Sequence, residues 1–523
     1  MNQSVAKFLL LFNFLFLFLL CGPNSQESPK ENEVDMFSEK TYESLLADLK
    51  SEDPFLRGQA TIELGNRNVN AAIPFLREHL KDPNPGVRAG AAIALGELKD
   101  TKSTKIIVKL MNSDIENPKD VYLDALSRMG DPSAKESIYP LLEDENPTLR
   151  LQVVEALVQV RGGSVGGQIL SLAKKNQDRE KDKTYAMALG KLKVRESESY
   201  LKNLSKIQDE SPTLAAAYLA LGRIQAKNSF DVLVSALSNP YSKGKENASL
   251  ALIEIGNPNI VSSVFQILER EIDEETKMYA TDVLCNIPSI ESAKLAFGLL
   301  KGNKQALYGS GAKIVGRQKY KEASPRLIQL LSDPKSLERD SFAEALGWIG
   351  DREAIPVLRK VLLSGDKEGP YGSAWALGIL GAKEAVPDLL TVLDGGDPKL
   401  ISYALEALGS IADPTSLTKL KSFLKDRPKM APQILSSIGL IPGEEARLVL
   451  EESAKSRDAD IHRPALEEIS KRKDTKSIPL LLEFVNGDSP EKRKMAYYAL
   501  AEITGQKFRT PKEWNDWAKI NQR

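Results

Sequence analysis

The amino-acid sequence predicts an all-α chain, an α-α superhelix of about fifteen helix pairs, and three observations carry that prediction. The first is a recurring phrase. Asp82-Pro83-Asn84-Pro85-Gly86-Val87-Arg88 runs through small and apolar residues to Leu95-Gly96, and it returns as Asp53-Pro54-Phe55-Leu56-Arg57 closing on Gly65 and as Asp397-Pro398-Lys399-Leu400 closing on Gly409. The second is its spacing. Thirty-one residues separate Gly65 from Gly96, and the same step joins Gly316, Gly347, Gly378 and Gly409; a fixed period of this length marks a stacked array. The third is composition: aromatics make up 6% of the chain, which suits Ala/Leu-rich helices better than sheets.

The totals bound the function. Lys and Arg number 71 against 72 Asp and Glu, a formal net charge of -1 over 523 residues. That balance gives no electrostatic basis for nucleic-acid binding. Cys21 and Cys285 are the only cysteines and His79 and His462 the only histidines. They build neither a disulfide framework nor a Cys-based zinc site, and no cofactor or metal is expected.

Taken in order, residues 1–20 open with one positive charge by Lys7 and then run apolar from Phe8 to Leu20 except for Asn13. Thirteen helical residues reach roughly 20 Å, short of a ~30 Å hydrocarbon core, so the stretch reads as a signal peptide. Cys21-Gly22-Pro23-Asn24-Ser25 follows directly. The junction resembles a bacterial lipoprotein precursor, which implies lipidation at Cys21, although Phe18-Leu19-Leu20 stand where such precursors carry small residues. The alternative is an ordinary secretory signal with an incidental cysteine. Residues 21–40 are polar and rich in Ser, Pro, Asn and Glu, a composition that buries no core and reads as a disordered tether.

Residues 41–505 form the array. In each unit the first helix starts at the Asp-Pro phrase, with Asp82 read as an N-cap and Pro83 as its N1 residue, and Gly96 loosening the end. The clearest first helices are expected at Pro54–Gly65, Pro83–Gly96, Pro334–Gly347, Gly369–Gly378 and Pro398–Gly409, with Gly130, Gly190, Gly222 and Gly256 marking the ends of degenerate ones and Cys285 and Ser470 replacing the glycine. The second helix follows a short polar turn and carries Pro74, Pro325, Pro356, Pro387 or Pro479 in its first turn, where proline costs little. Residues 353–363 show the apolar spacing of a half-buried helix.

This Asp-Pro…Val-Arg…Ala-Leu-Gly phrase resembles the HEAT repeat in its short bacterial form, also seen in phycobilin-lyase-type proteins, and so implies a HEAT-repeat solenoid. The resemblance also implies that the recurring Arg57, Arg88, Arg150 and Arg339 bond neighbouring repeats to one another. Residues 506–523 depart from the repeat. Trp514 and Trp517 resemble a Trp-x-x-Trp ending of bacterial HEAT proteins, and they are expected to cover the last apolar face as a C-terminal cap.

Candidate chemistry fails at each point. Gly162-Gly163-Ser164-Val165-Gly166 satisfies G-x-S-x-G but lacks the preceding strand a nucleophile elbow needs. Gly309-Ser310-Gly311 lacks both the Walker A and dinucleotide spacings. His79 falls at a helix C-terminus, where the dipole favours a cation, and Asp273-Glu274-Glu275 complement a helix start. Tyr185, Tyr218, Tyr279, Phe342, Trp375 and Tyr403 lie at scattered offsets from their markers and read mainly as packing residues, while Trp348 and Trp375 in adjacent units share a surface. The expectation is a non-enzymatic scaffold, exported and lipid-anchored at a bacterial cell envelope in an outer-membrane or periplasm-facing position, presenting its inner helices to protein partners and binding no nucleic acid. A soluble secreted or periplasmic form is the alternative location. A bilin-lyase-like enzyme or chaperone is the alternative function.

Overall fold

A computed structural model of the chain describes residues 40–160, 162, 164–206, 211–270, 273–506, 508 and 510–521. The signal segment, Cys21 and nearly all of the tether lie outside these residues, as does Gly163. The described chain is helical, with no strand among the described residues. First and second helices alternate as the period predicts, and fifteen first helices follow one another from Pro54–Asn66 to Pro490–Thr504.

The chain falls into two compact units, one ending at Val165 and one starting at Gly166. In the first unit the helices Pro54–Asn66, Pro85–Glu97, Lys119–Met129 and Pro147–Gln159 pack in succession, each on the next. In the second unit, first helices run from Arg179–Lys191 onward in the same way. One apolar core threads that unit from Ala186 to Trp514.

The marker glycines explain how the first helices pack. A Cβ on Gly65 would stand 2.6 Å from the Ala94 Cβ, one on Gly222 2.5 Å from the Ala251 Cα, and one on Gly378 2.9 Å from the Ala407 Cα. Each glycine thus lets the backbone of one first helix lie directly against the next. Second helices touch their counterparts far less.

This corrects the reading of Gly96 as a residue that loosens a helix end. Gly96 is helical, and its missing Cβ makes room for the Ala125 backbone 3.0 Å away. The chain turns three residues later. Asn68, Lys99, Lys193, Gln225, Lys319, Ala412 and Lys473 all take positive φ at that offset, where Gly350 and Gly381 stand in other repeats. Among the degenerate markers, Gly130 and Gly256 are left-handed helix ends as expected, whereas Gly190 and Gly222 are helical approach points.

Two predicted starts also move. The template helix begins at Pro85 instead of Pro83, with the Asn84 side chain accepting from the Val87 N–H. Pro85 confines Asn84 to extended backbone (φ -81°, ψ 125°), so the helix cannot begin earlier. The Pro334 phrase forms a turn, and its helix starts only at Arg339, after Glu338 has taken φ +66°. Pro74, Pro325, Pro356, Pro387 and Pro479 do occupy the first turns of second helices.

At the far end, Thr510 and Glu513 cap the helix Pro511–Asn521 reciprocally: the Thr510 Oγ1 accepts from the Glu513 N–H, and the Glu513 carboxylate accepts from the Thr510 N–H. Trp514 is fully buried, edge-on to Phe508 at 5.0 Å and to Trp517 at 5.9 Å.

Candidate binding face

The recurring cations form a ladder between repeats. The Arg57 guanidinium donates to both oxygens of Asp82, which opens the next pair (2.9 and 3.0 Å), and Arg88 does the same to Asp114 at equal distances. Arg88, Tyr122 and Asn117 together hold the Asp114 carboxyl far below the usual carboxylate range, against the opposing effect of burial. Arg339 donates to Asp366 at 2.7 Å and to the Leu331 carbonyl. Arg150 donates to the Asp144 and Glu145 carbonyls at the start of its own pair, as Arg57 and Arg88 do at theirs, but among the described residues it meets no carboxylate of the next pair.

Lys245 takes the arginine place in its repeat, reaching Asp273 at 2.8 Å and Glu275 at 3.2 Å. Asp273 also caps its helix through the Thr276 N–H. The acidic triplet therefore serves the helix start and the ladder together, and the lysine is a rung that a search for arginines misses. These cations are committed to structure and leave no basic groove along the ladder.

The other motifs fall into structural places. Gly166 opens the helix Gly166–Lys175, and no strand precedes it among the described residues. His79 ends its helix as expected, yet burial lowers its pKa, so the dipole does not win there. Its Nε2 meets the Leu49 carbonyl at 3.1 Å and its Nδ1 the Thr61 hydroxyl at 2.9 Å. His462 is buried 3.5 Å from Glu491. Among the described residues no group of three or more His, Cys, Asp or Glu is placed to hold a metal. Cys285 is a free, buried thiol, pushed up to about 12 by burial.

What remains is a face of the first helices in the second unit, across Glu274–Asn286, Tyr308–Arg317, Arg339–Ile349, Pro370–Ile379 and Pro398–Ile411. Three residues before each marker, Asp282, Lys313, Glu344, Trp375 and Glu406 occupy equivalent, incompletely buried positions. Because Gly316, Gly347 and Gly378 seat each helix on the next in the same register, these side chains form a row. Aromatic pairs flank it. Trp348 meets Trp375 edge-on at 5.5 Å and Tyr371 meets Tyr403 at 5.8 Å. Tyr185, Tyr218 and Phe342, in contrast, are buried packing residues.

The electrostatics of the row are uneven. Asp282 has Lys313 at 3.8 Å. Glu344 and Glu406 have no hydrogen-bonding or ion-pairing partner among the described residues. Burial pushes both carboxyls above their ordinary range. For Glu344, Asp340 adds to the effect and Lys313 opposes it. Tyr403 is raised by burial and then by Glu344 and Glu406. Met278, Lys313, Ser341, Glu344 and Trp348 line a shallow cleft of about 320 Å³ at one end of this face.

The family described as HEAT repeats matches residues 42–119 and 292–370, and the PBS lyase HEAT-like repeat matches residues 370–395. The fold is a HEAT-repeat solenoid. Among solved structures, the Kap95:Nup1 complex aligns over 91% of this chain and 78% of its own with a TM-score of 0.54 at 13% identity, a likeness of fold. The CpcE–CpcF complex of phycocyanin lyase from Nostoc sp. PCC7120 aligns over 52% of this chain and 97% of its own, with a TM-score of 0.23 and 20% identity. The deoxyhypusine hydroxylase of Schizosaccharomyces pombe is 26% identical over 265 residues, 48% of this chain and 83% of that protein. Among the described residues no helix is long and apolar enough to cross a membrane.

Proposed function

We propose that the protein is an exported scaffold, lipid-anchored through Cys21 at a bacterial cell envelope, that holds partner proteins on the first-helix face of its repeats. One observation carries the scaffold reading: a register-aligned row of incompletely buried carboxylate, lysine and tryptophan side chains spans several repeats, while the ladder cations and marker glycines are committed to packing. Extended faces of this kind are what stacked repeats offer to macromolecules. The anchor reading rests on the apolar run 8–20 ending at Cys21. Two acyl chains suffice for stable anchoring where one does not.

Intact-cell crosslinking followed by mass spectrometry tests the scaffold, which requires protein crosslinks on the array; an array that captures no protein refutes it. Labelled palmitate tests the anchor. Wild type should incorporate label and enter the detergent phase, and Cys21→Ala should do neither. A mature N-terminus found downstream of Cys21 in unlabelled protein would make this a soluble secreted or periplasmic solenoid.

The second reading is enzymatic, a hydroxylase-like or bilin-lyase-like protein, and the 26% identical hydroxylase favours it. A spectral change on mixing purified protein with a bilin would support its lyase form.

A further inference from the structure

We propose that the face across Arg339–Ile349, Pro370–Ile379 and Pro398–Ile411 docks a basic, extended segment of the partner protein, with Lys or Arg side chains seated on Glu344 and Glu406 to either side of the Trp375 ring. The inference rests on the scaffold reading and adds to it the chemistry of the partner. Three independent features of the face converge on a cationic occupant.

The first is unmet charge. Among the described residues neither Glu344 nor Glu406 has an ion-pair partner: Glu344 feels Lys313 only at a distance and Glu406 has no cation acting on it, while the nearby ladder carboxylate Asp366 is paired with Arg339. Keeping a carboxylate half-desolvated and alone costs free energy that an incoming ammonium or guanidinium relieves.

The second is the aromatic surface between them. The rings already attract cations where the chain supplies one. The Arg317 guanidinium lies 5.2 Å from the Trp348 ring centre, and the Lys399 ammonium 4.4 Å from that of Tyr371. Trp375 and Tyr403 stand in the same cluster, partly exposed and without such a cation. Cation–π attraction is strongest on Trp.

The third is geometry. Packed helices lie about 8–10 Å apart, so Glu344 and Glu406, two helices apart in one register, stand on the order of 16–20 Å apart. An extended chain covers that in about five or six residues at ~3.3 Å each. A segment crossing the helices thus places one basic side chain on each carboxylate. Its intervening residues run over Trp375, and exposed Ile379 is available for an apolar contact.

The test uses the full chain and a fluorescein-labelled twelve-residue Lys/Arg–Ser peptide, read by anisotropy, beside a Glu–Ser peptide of equal length. The basic peptide should bind and the acidic one should not. The double variant Glu344→Gln/Glu406→Gln should weaken binding at least tenfold. Glu322→Gln, an exposed acid in the turn before a second helix, should change nothing. Glutamine keeps the shape of glutamate, and a thermal melt no lower than that of wild type shows that the loss is not unfolding. Equal binding by the double variant, or equal binding of the acidic peptide, overturns the proposal. The two readings fail separately. Partner crosslinks on this face through an acidic or purely apolar segment would remove the basic docking site and leave the scaffold standing, whereas absence of any protein crosslink would remove the scaffold itself.

Discussion

Replacing Gly378 with Ala puts the packing of the first helices to a quantitative test. Gly378 is helical in Pro370–Ile379, and an added Cβ would stand 2.9 Å from the Ala407 Cα and 3.1 Å from its Cβ. Comfortable carbon–carbon contact lies at about 3.5–4.0 Å. The two helices must therefore separate by about half an ångström or more, against a continuous core. In an open helix, Gly→Ala gains about 0.5–1 kcal/mol from backbone entropy. Overpacking costs about 1–3 kcal/mol, so the net expectation is a loss centred on about 1 kcal/mol and reaching about 2.5 kcal/mol at most.

Gly298 supplies the matched control. It is exposed within Ile290–Lys301, with nothing within 4 Å of its Cβ position, so Gly298→Ala should stabilise by about 0.5–1 kcal/mol. The same chemical change is thus predicted to have opposite signs at two helical sites. Repeat arrays need not unfold in one step, so native-state hydrogen exchange resolved over residues 370–411 is the right assay, supported by urea midpoints. Gly378→Asp should cost more than Gly378→Ala, because it also brings a charge into the interface. Equal stabilisation by both alanine variants would refute the close-approach role.

Other outcomes follow from the same geometry. Arg88→Ala should cost about 2 kcal/mol, since it removes a charged, bidentate contact to nearly buried Asp114. The depressed carboxyl of Asp114 contributes stability that is present above its unfolded value and lost as pH falls toward the folded one. Acid unfolding of Arg88→Ala should therefore show a shallower loss than wild type. Glu344 and Glu406 have the opposite sign: their raised carboxyls contribute stability at low pH that is lost as pH rises through the folded values. The double Gln variant should then melt above wild type at neutral pH and converge with it in acid. Cys285, buried and with its thiol pushed up to about 12, should resist a thiol reagent in the native protein and react after denaturation without reductant; a need for reductant would reveal a disulfide.

The array is legible because at most markers its period is set by a close approach of helix backbones that favours glycine. Gly65, Gly316, Gly347, Gly378 and Gly409 all sit where the next first helix comes close, so their step can be read without any structure. Helix boundaries were less legible. The double proline of Asp82-Pro83-Asn84-Pro85 offers two caps, and only the restriction of Asn84 by Pro85 decides between them. The left-handed turn three residues past the marker leaves no signature in the sequence because Asn, Lys, Gln, Ala and Gly all fill it.

The Trp348–Trp375 pairing was visible from adjacent repeats. The Glu344 and Glu406 positions were not, because carboxylates on helices ordinarily read as solvated surface. Their significance appears only when the packed register shows that, among the described residues, neither forms an ion pair. The ladder was half visible: its arginines recur at one place in the phrase, while Lys245 fills the same place with different chemistry.

Site-resolved photocrosslinking in intact cells tests the central claim most directly. A photoreactive residue at Ile379, exposed on the first-helix face, is compared with one at Lys360, exposed on the second helix Ile355–Leu362. The account predicts a discrete partner protein crosslinked from position 379 and not from 360. Capture from 360 alone, or from neither, would contradict the assignment of the first-helix face as the surface that binds.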